Sequence, residues 1–375
     1  MARRVHLHIG LPKTGTTFLQ TTMWENRDAL ADQGFCYPGR NRMQHYHASQ
    51  AVRGISRAAQ RKHHGAWQGL IDELAAWDGD GLVSHEFFSM ASAKQAIAAV
   101  QALAPAKVHV VVTVRSYVLQ FPAVWQEALK MNSSLSFDQF MEAALANRLK
   151  GAWSWDSQDI PRVLGRWSAA VPPEQLTVVT VPPPGAPRGL LWERWREAIG
   201  IDDNHFDLDV HYANESIGAA QAALLLRVKP YLSGPLTAGN VRHRWVRHYF
   251  GHEVLVPQRG ERFGPRPEQA AALTARSEHA VEVIREAGYP VIGDLDDLVS
   301  VQPRQTGLSP DDVTDAEIVD VAARAIEQMI RDVKQLTESR DRWRARARRA
   351  QGHTPRGFVR RVSGRLRRAW SKTHG

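Results

Sequence analysis

The sequence predicts an α/β protein with a central parallel sheet flanked by helices and a helical C-terminal half. Three observations carry this expectation. Near the N-terminus the apolar positions Val5, Leu7 and Ile9 stop at Gly10, and Gly15, Thr16 and Thr17 then open a helix, which reads as strand, turn and helix. Residues 108–114, VHVVVTV, are β-branched and almost continuously apolar, as a strand covered on both faces requires. Helical and strand patterns alternate around these two segments, as in a sheet whose parallel strands are joined by helices.

The helix after the first turn is expected to run to about residue 31, with Leu19, Met23 and Leu30 on its apolar side. A loop rich in Gly, Arg and His is expected over 34–47. Residues 66–77 read as a helix with Trp67, Leu70, Ile71 and Leu74 on one side, 81–84 as a short strand, and 91–103 as a helix. After the 108–114 strand, expected to be central, helices are predicted at 117–130 and 137–149. A strand at 176–181 is stopped by the three prolines 182–184. The second half reads as mainly helical: 219–228 around an LLL run, 267–288 ending at Gly288, and 314 to about 350 before a break at 352–355.

At 375 residues the chain can hold one large core and an appendage. The expected division is an α/β domain over 1–300, with its core at 4–184 and a helical region at 185–300. A helical extension over 301–350 and a basic tail over 351–375 follow. The net charge of +9 is a property of the end of the chain: residues 340–375 hold 13 Lys and Arg and one acid, leaving −3 for the rest. No apolar run approaches the ~18 residues that span a bilayer, and the N-terminus lacks an apolar signal core. The single cysteine, Cys36, excludes an intrachain disulfide and fits a reducing compartment. Cytoplasmic residence is the expectation, with a peripheral site at the inner membrane face if the tail meets anionic lipid. Nucleic acid is not the expected partner, and the oligomeric state is left open. No HExxH or paired-carboxylate pattern points to a metal.

The N-terminal turn carries the chemistry. The free N–H groups of a helix start, with the positive end of the helix dipole, make an anion site. The turn resembles a P-loop, with Gly10 and Gly15 correctly spaced, but Thr16 stands where GxxxxGK[ST] has its lysine, and the cation is earlier, at Lys13. A lysine at the helix reaches the outer phosphates of a nucleoside triphosphate. Moved to the front of the loop, it suits a shorter ligand with one phosphate and a transferable group.

The segment PKTGTT, from Pro12 to Thr17, resembles the phosphosulfate-binding loop of the sulfotransferases, and WQE (125–127), VVTVPPPG (178–185), LWERW (191–195) and NESIG (214–218) are similar to segments of bacterial members of that family. The resemblance implies a P-loop-type three-layer fold and 3′-phosphoadenosine 5′-phosphosulfate (PAPS) as sulfonate donor, with the desulfonated nucleotide PAP as product. It implies Lys13, Thr14, Gly15, Thr16 and Thr17 around the 5′ phosphosulfate, Lys13 stabilising the leaving oxygen, and Phe18 either stacking on adenine or filling the core. The second family motif corresponds to TVRSYVLQFPAVWQE, with Arg115 just past a strand end on the 3′ phosphate. The serine usual eight residues later is Ala123 here. A late basic loop, VPQRGERFG, offers Arg259 and Gly260, with Arg262 next. The base is Glu86 or His85, with His47 a third option. Adjacent side chains on an extended segment point opposite ways, so only one of Glu86 and His85 is expected to face the site. The acceptor is left open among glycans, glycolipids and small metabolites. The competing functions are a P-loop kinase or NTPase, opposed by Thr16, and a non-enzymatic protein that uses its basic tail on membrane or nucleic acid.

Overall fold

The structure is a computed structural model that describes residues 1–55, 65–187, 189–202, 206–209, 216–300 and 308–352. Among them six strands form one sheet: β1 (Arg4–His8), β2 (Phe35–Cys36), β3 (Asp80–Ser84), β4 (Lys107–Val114), β5 (Leu176–Thr180) and β6 (Val291–Ile292). The order is β2-β3-β1-β4-β5-β6, and every pairing is parallel. The main helices are α1 (Thr16–Glu25), α2 (Arg27–Asp32), α3 (Met43–Val52), α4 (Ala66–Ala75), α5 (Ala93–Ala102), α6 (Tyr117–Lys130), α7 (Phe137–Leu145), α8 (Ile160–Trp167), α9 (Leu190–Ile199), α10 (Ala219–Val228), α11 (Pro267–Glu286) and α12 (Asp315–Gly352). The predicted α/β class, with helices around a parallel sheet and a helical second half, is the observed one. Residues 353–375, which hold most of the basic tail, lie outside the described residues.

Strand alternation places Leu7 and His8, or Val110 and Val111, on opposite faces, and all four are 0% exposed. Both faces of the sheet are therefore covered. One face meets α1 and α9 through a cluster that includes Leu19, Leu82, Val111, Val179, Trp192 and Trp195. From β1 the chain moves to β2 and β3 on one side, and β4 then returns to the other side of β1. The connections reverse between β1 and β4, and ligands of such sheets bind at the carboxyl ends of the strands there. The turn after β1 and Arg115 after β4 both meet at that crevice.

Two local expectations are corrected. The helix after the first turn breaks at Asn26 instead of running to residue 31. Asn26 Nδ2 donates to the carbonyls of Thr22 (2.8 Å) and Asp207 (2.9 Å), and its Oδ1 accepts from Asp207 N–H (2.8 Å). Its side chain serves a distant segment and interrupts the helix. The region 34–47, expected as loop, contains β2 and the start of α3, held by His45, whose Nε2 donates to the Pro38 carbonyl at 2.8 Å.

Contacts divide the chain into a unit Met1–Asp315 and a second unit Ala316–Gly375, whose described part is the remainder of α12. No helix among the described residues is long and apolar enough to cross a membrane.

The sheet buries histidines as neutral rings. His8 bonds Ser84 Oγ on β3 (2.8 Å) and Thr113 Oγ1 on β4 (3.1 Å). Burial pushes His6 and His8 down to about 3 and His45 to about 4. The unfolded chain takes up these protons near pH ~6.5. Stability from these groups is therefore fully present above pH ~6.5 and lost as pH falls toward 4. The midpoint of thermal unfolding is expected to hold between pH 7.5 and 6.5 and to drop between 6.5 and 5, above the usual carboxylate range. A flat profile down to pH 5 contradicts this.

Candidate active site

The turn after β1 is fixed from below by its carbonyls. Gly10 O accepts from Thr113 N–H (2.6 Å) and Thr113 Oγ1 (3.1 Å), and Leu11 O accepts from Thr14 Oγ1 (2.5 Å). Pro12 O accepts from Gln120 Nε2 (2.9 Å), and Lys13 O from an Arg115 guanidinium N–H (3.3 Å). Four consecutive carbonyls are thus tied to β4, the residue that follows it, α6 or the turn itself. The chain follows this path only with unusual backbone angles. Gly10 has φ +109°, and a Cβ there would lie 2.9 Å from the Glu86 backbone. Lys13 has φ 67°, a strained conformation for a residue with a side chain. Gly15, at φ +81°, precedes the first residue of α1, and a Cβ on it would meet Leu191 Cδ2 at 2.5 Å. The helix start therefore turns its unpaired N–H groups at Gly15, Thr16 and Thr17 toward open space.

That space is a cavity of about 900 Å³, and Lys13, Gly15, Thr16, Thr17, Arg115 and Glu86 all line it. Lys130, Arg247 and Arg262 add cations, and Glu127 a second carboxylate. Thr14 does not line it. Its hydroxyl points inward, 2.6 Å from Thr113 Oγ1, so it sets the turn. Phe18 borders the cavity but belongs to the core cluster around Leu19 and Trp192. Ala123 lines the wall at the position where a serine was looked for, while the nearby Ser116 is buried and does not.

The charges sort into two groups. Glu127 accepts from Arg247 Nε at 2.6 Å, and its other oxygen is 3.6 Å from Lys13 Nζ. Burial alone would raise its pKa, but Lys13, Arg247 and Lys130 outweigh burial and hold it at about 2. Arg115 is the opposite case. Burial lowers it to about 10, and no carboxylate compensates. Its recorded bond is to the Lys13 carbonyl, and among the described residues no acid pairs with it. A guanidinium withdrawn from water without an anion is costly unless an anion arrives.

His85 and Glu86 both line the cavity, against the expectation that only one would. The reason is local: the chain leaves the extended conformation after His85, and Glu86–Met90 is a 3₁₀ turn, so side-chain alternation ends there. His85 Nδ1 accepts the Phe87 N–H (3.1 Å) and lies 3.8 Å from Glu86 Oε2. Burial lowers the pKa of His85 and keeps the ring neutral. With Nδ1 accepting, the proton belongs on Nε2, which leaves no ring lone pair to act as a base. Glu86 Oε2 accepts from Gln20 Nε2 at 3.1 Å. Burial pushes the Glu86 carboxyl up, but His85, charged only in the acid range where this carboxyl titrates, its own N–H and Gln20 bring it below the usual value, so at neutral pH it is ionised. His47 lies on α3 and does not line the cavity, though its neighbour Tyr46 does.

The late basic loop reaches the cavity by Arg262, the next candidate, and not by Arg259 and Gly260. Arg259 is exposed in a left-handed conformation (φ 49°), and Gly260 sits against Gln221. Neither lines the cavity, whereas Arg262, Phe263 and Gly264 do. Sequence reasoning also missed Glu127, Lys130 and Arg247. Ala123, Glu127 and Lys130 share one face of α6 by helical spacing, and that signal could have found the first two. Arg247 comes from a π-type helical stretch (His243–Leu255) far along the chain, with no local motif.

No protein-family model and no curated protein sequence matches the chain. Among solved structures, the chain is similar to a sulfotransferase from Alicyclobacillus acidocaldarius, with 14% identity and a TM-score of 0.40 over 57% of this chain and 88% of that one.

Proposed function

We propose that the chain transfers a sulfonate group from PAPS to a hydroxyl or amine of a glycan, glycolipid or small metabolite. The observation that carries this is the pairing of an amide-lined turn, its lysine at the front, with a half-buried guanidinium on the same cavity that has no acid partner among the described residues. One ligand with anions at both ends satisfies both groups. In this mechanism the N–H groups of Gly15, Thr16 and Thr17 take the 5′ phosphosulfate and Arg115 takes the 3′ phosphate. Arg262, which also lines the cavity, assists Arg115.

The acceptor oxygen or nitrogen attacks sulfur in line, its bond to sulfur forms, and the bridging oxygen leaves with the phosphate as PAP. Lys13 neutralises the charge that develops on that oxygen, leaving its 3.6 Å approach to Glu127 to do so. Glu86, ionised and at the cavity wall, takes the acceptor proton. Glu127 remains an anion throughout and keeps Arg247 in place.

Calorimetric titration with PAP, ADP and ATP with magnesium tests this. PAP is expected to bind at least ~100-fold more tightly than ADP, on the scale of one enclosed charge-assisted phosphate contact. Magnesium-dependent binding that favours ATP over PAP overturns the proposal and points to phosphoryl transfer.

A further inference from the structure

Helix α12 leaves an apolar seam uncovered. Of the twelve large hydrophobic side chains exposed among the described residues, seven lie on this one helix. They are not scattered. Val319, Ile326 and Val333 recur every seven residues, and Ala322, Met329, Leu336 and Trp343 form a second series three residues on. This is the a/d pattern of a coiled coil, sustained for more than three heptads and about 37 Å of helix. Val319, Ile326, Val333, Leu336 and Trp343 are each 57–67% exposed. The ion pairs Glu327–Arg331 and Lys334–Glu338 occupy b and f positions, on the side away from the seam. Contiguous apolar surface of this kind on a charged helix marks a docking face.

Charge selects the occupant and its direction. From Asp315 to Asp332 the helix carries five acids and two bases, and from Lys334 to Arg349 seven bases and two acids. The helix is therefore complementary to itself when reversed. We infer that α12 pairs antiparallel with α12 of a second copy of this chain. Centred near Arg331, the register sets Ile326 against Leu336 and Met329 against Val333. It sets the bulky Trp343 against Val319 and the long Arg340 against the small Ala322. The acidic first half of each copy then lies along the basic second half of the other. A parallel pair would instead stack Arg340 on Arg340 and bring the two basic halves together. An anionic membrane is the other surface that could take an amphipathic basic helix. It is disfavoured because the first half of the seam, through Met329, lies in the stretch with five acids against two bases, which an anionic surface repels.

Sedimentation of the full-length protein tests the pairing, and a mass near twice 42.0 kDa is expected. In a Cys36→Ser background, a mixture of Val319→Cys and Trp343→Cys proteins should form a disulfide-linked pair on mild oxidation, and Trp343→Cys alone should not. The double variant Ile326→Asp with Leu336→Asp should sediment near 42.0 kDa and keep its PAP affinity within about twofold. A monomeric wild type, a dimer that survives the double variant, or cross-linking of Trp343→Cys with itself overturns the inference. So does a wild-type monomer that co-sediments with phosphatidylglycerol vesicles through this helix. The cysteine variants bear on the pairing even if the aspartate variant fails to fold.

Discussion

Lys13→Ala is expected to lower sulfonate transfer about 100-fold, the scale of removing one preorganised donor from a developing oxyanion. The loss should fall on kcat, with KM for PAPS changing severalfold at most, because in the proposed mechanism the turn amides and Arg115 still hold the donor. Lys13 occupies a left-handed backbone position (φ 67°), and its carbonyl is held by Arg115 at 3.3 Å. Strain of this kind persists where the surroundings fix the side chain's direction. Before the donor arrives, the ammonium rests 3.6 Å from Glu127. Removing it leaves Glu127 with its 2.6 Å bond to Arg247, so the fold should survive. Lys13→Arg should not restore turnover, because a planar fork cannot replace a compact cation at one oxygen. Near-normal turnover in Lys13→Ala removes this residue from the mechanism.

The second large effect belongs to Arg115. Arg115→Leu is expected to weaken PAP binding about 100-fold while leaving adenosine 5′-phosphate binding nearly unchanged, since in the proposed mechanism only the 3′ phosphate loses its partner. The same change should raise the thermal midpoint of the ligand-free protein. Burial holds the Arg115 guanidinium down to about 10 with no acid to compensate, so an apolar side chain of similar reach removes a cost. Arg115→Lys should fall between the two. Opposite signs for stability and affinity distinguish a ligand-binding cation from a structural one. If Arg115→Leu destabilises the free protein and leaves PAP binding intact, the guanidinium serves the fold.

What the sequence revealed follows physical rules of range. β4 and α6 were legible because their patterns are local: an unbroken β-branched run in one case, and apolar residues at helical spacing over Tyr117–Lys130 in the other. The turn was legible because glycine is the residue that tolerates what Gly10 and Gly15 require, positive φ with no room for a Cβ. The break at Asn26 was hidden because its cause, the backbone of Asp207, lies 181 positions away. The Glu127–Arg247 bond spans 120 positions and was hidden for the same reason. His85 and Glu86 misled in a different way. Alternation holds only while a strand stays extended, and nothing in LVSHEFFS announces the 3₁₀ turn that brings both to the cavity. Arg259 resembles a ligand residue in isolation, yet its left-handed backbone carries it outward, and Arg262 reaches the wall.

A crystal structure with PAP bound is the most direct test of the site. The 5′ phosphate should lie against the N–H groups of Gly15 to Thr17, with the 3′ phosphate on the Arg115 guanidinium and Lys13 turned from Glu127 toward the 5′ oxygens. A cavity without nucleotide at saturating PAP, or a nucleotide whose 3′ phosphate lies away from Arg115, contradicts it.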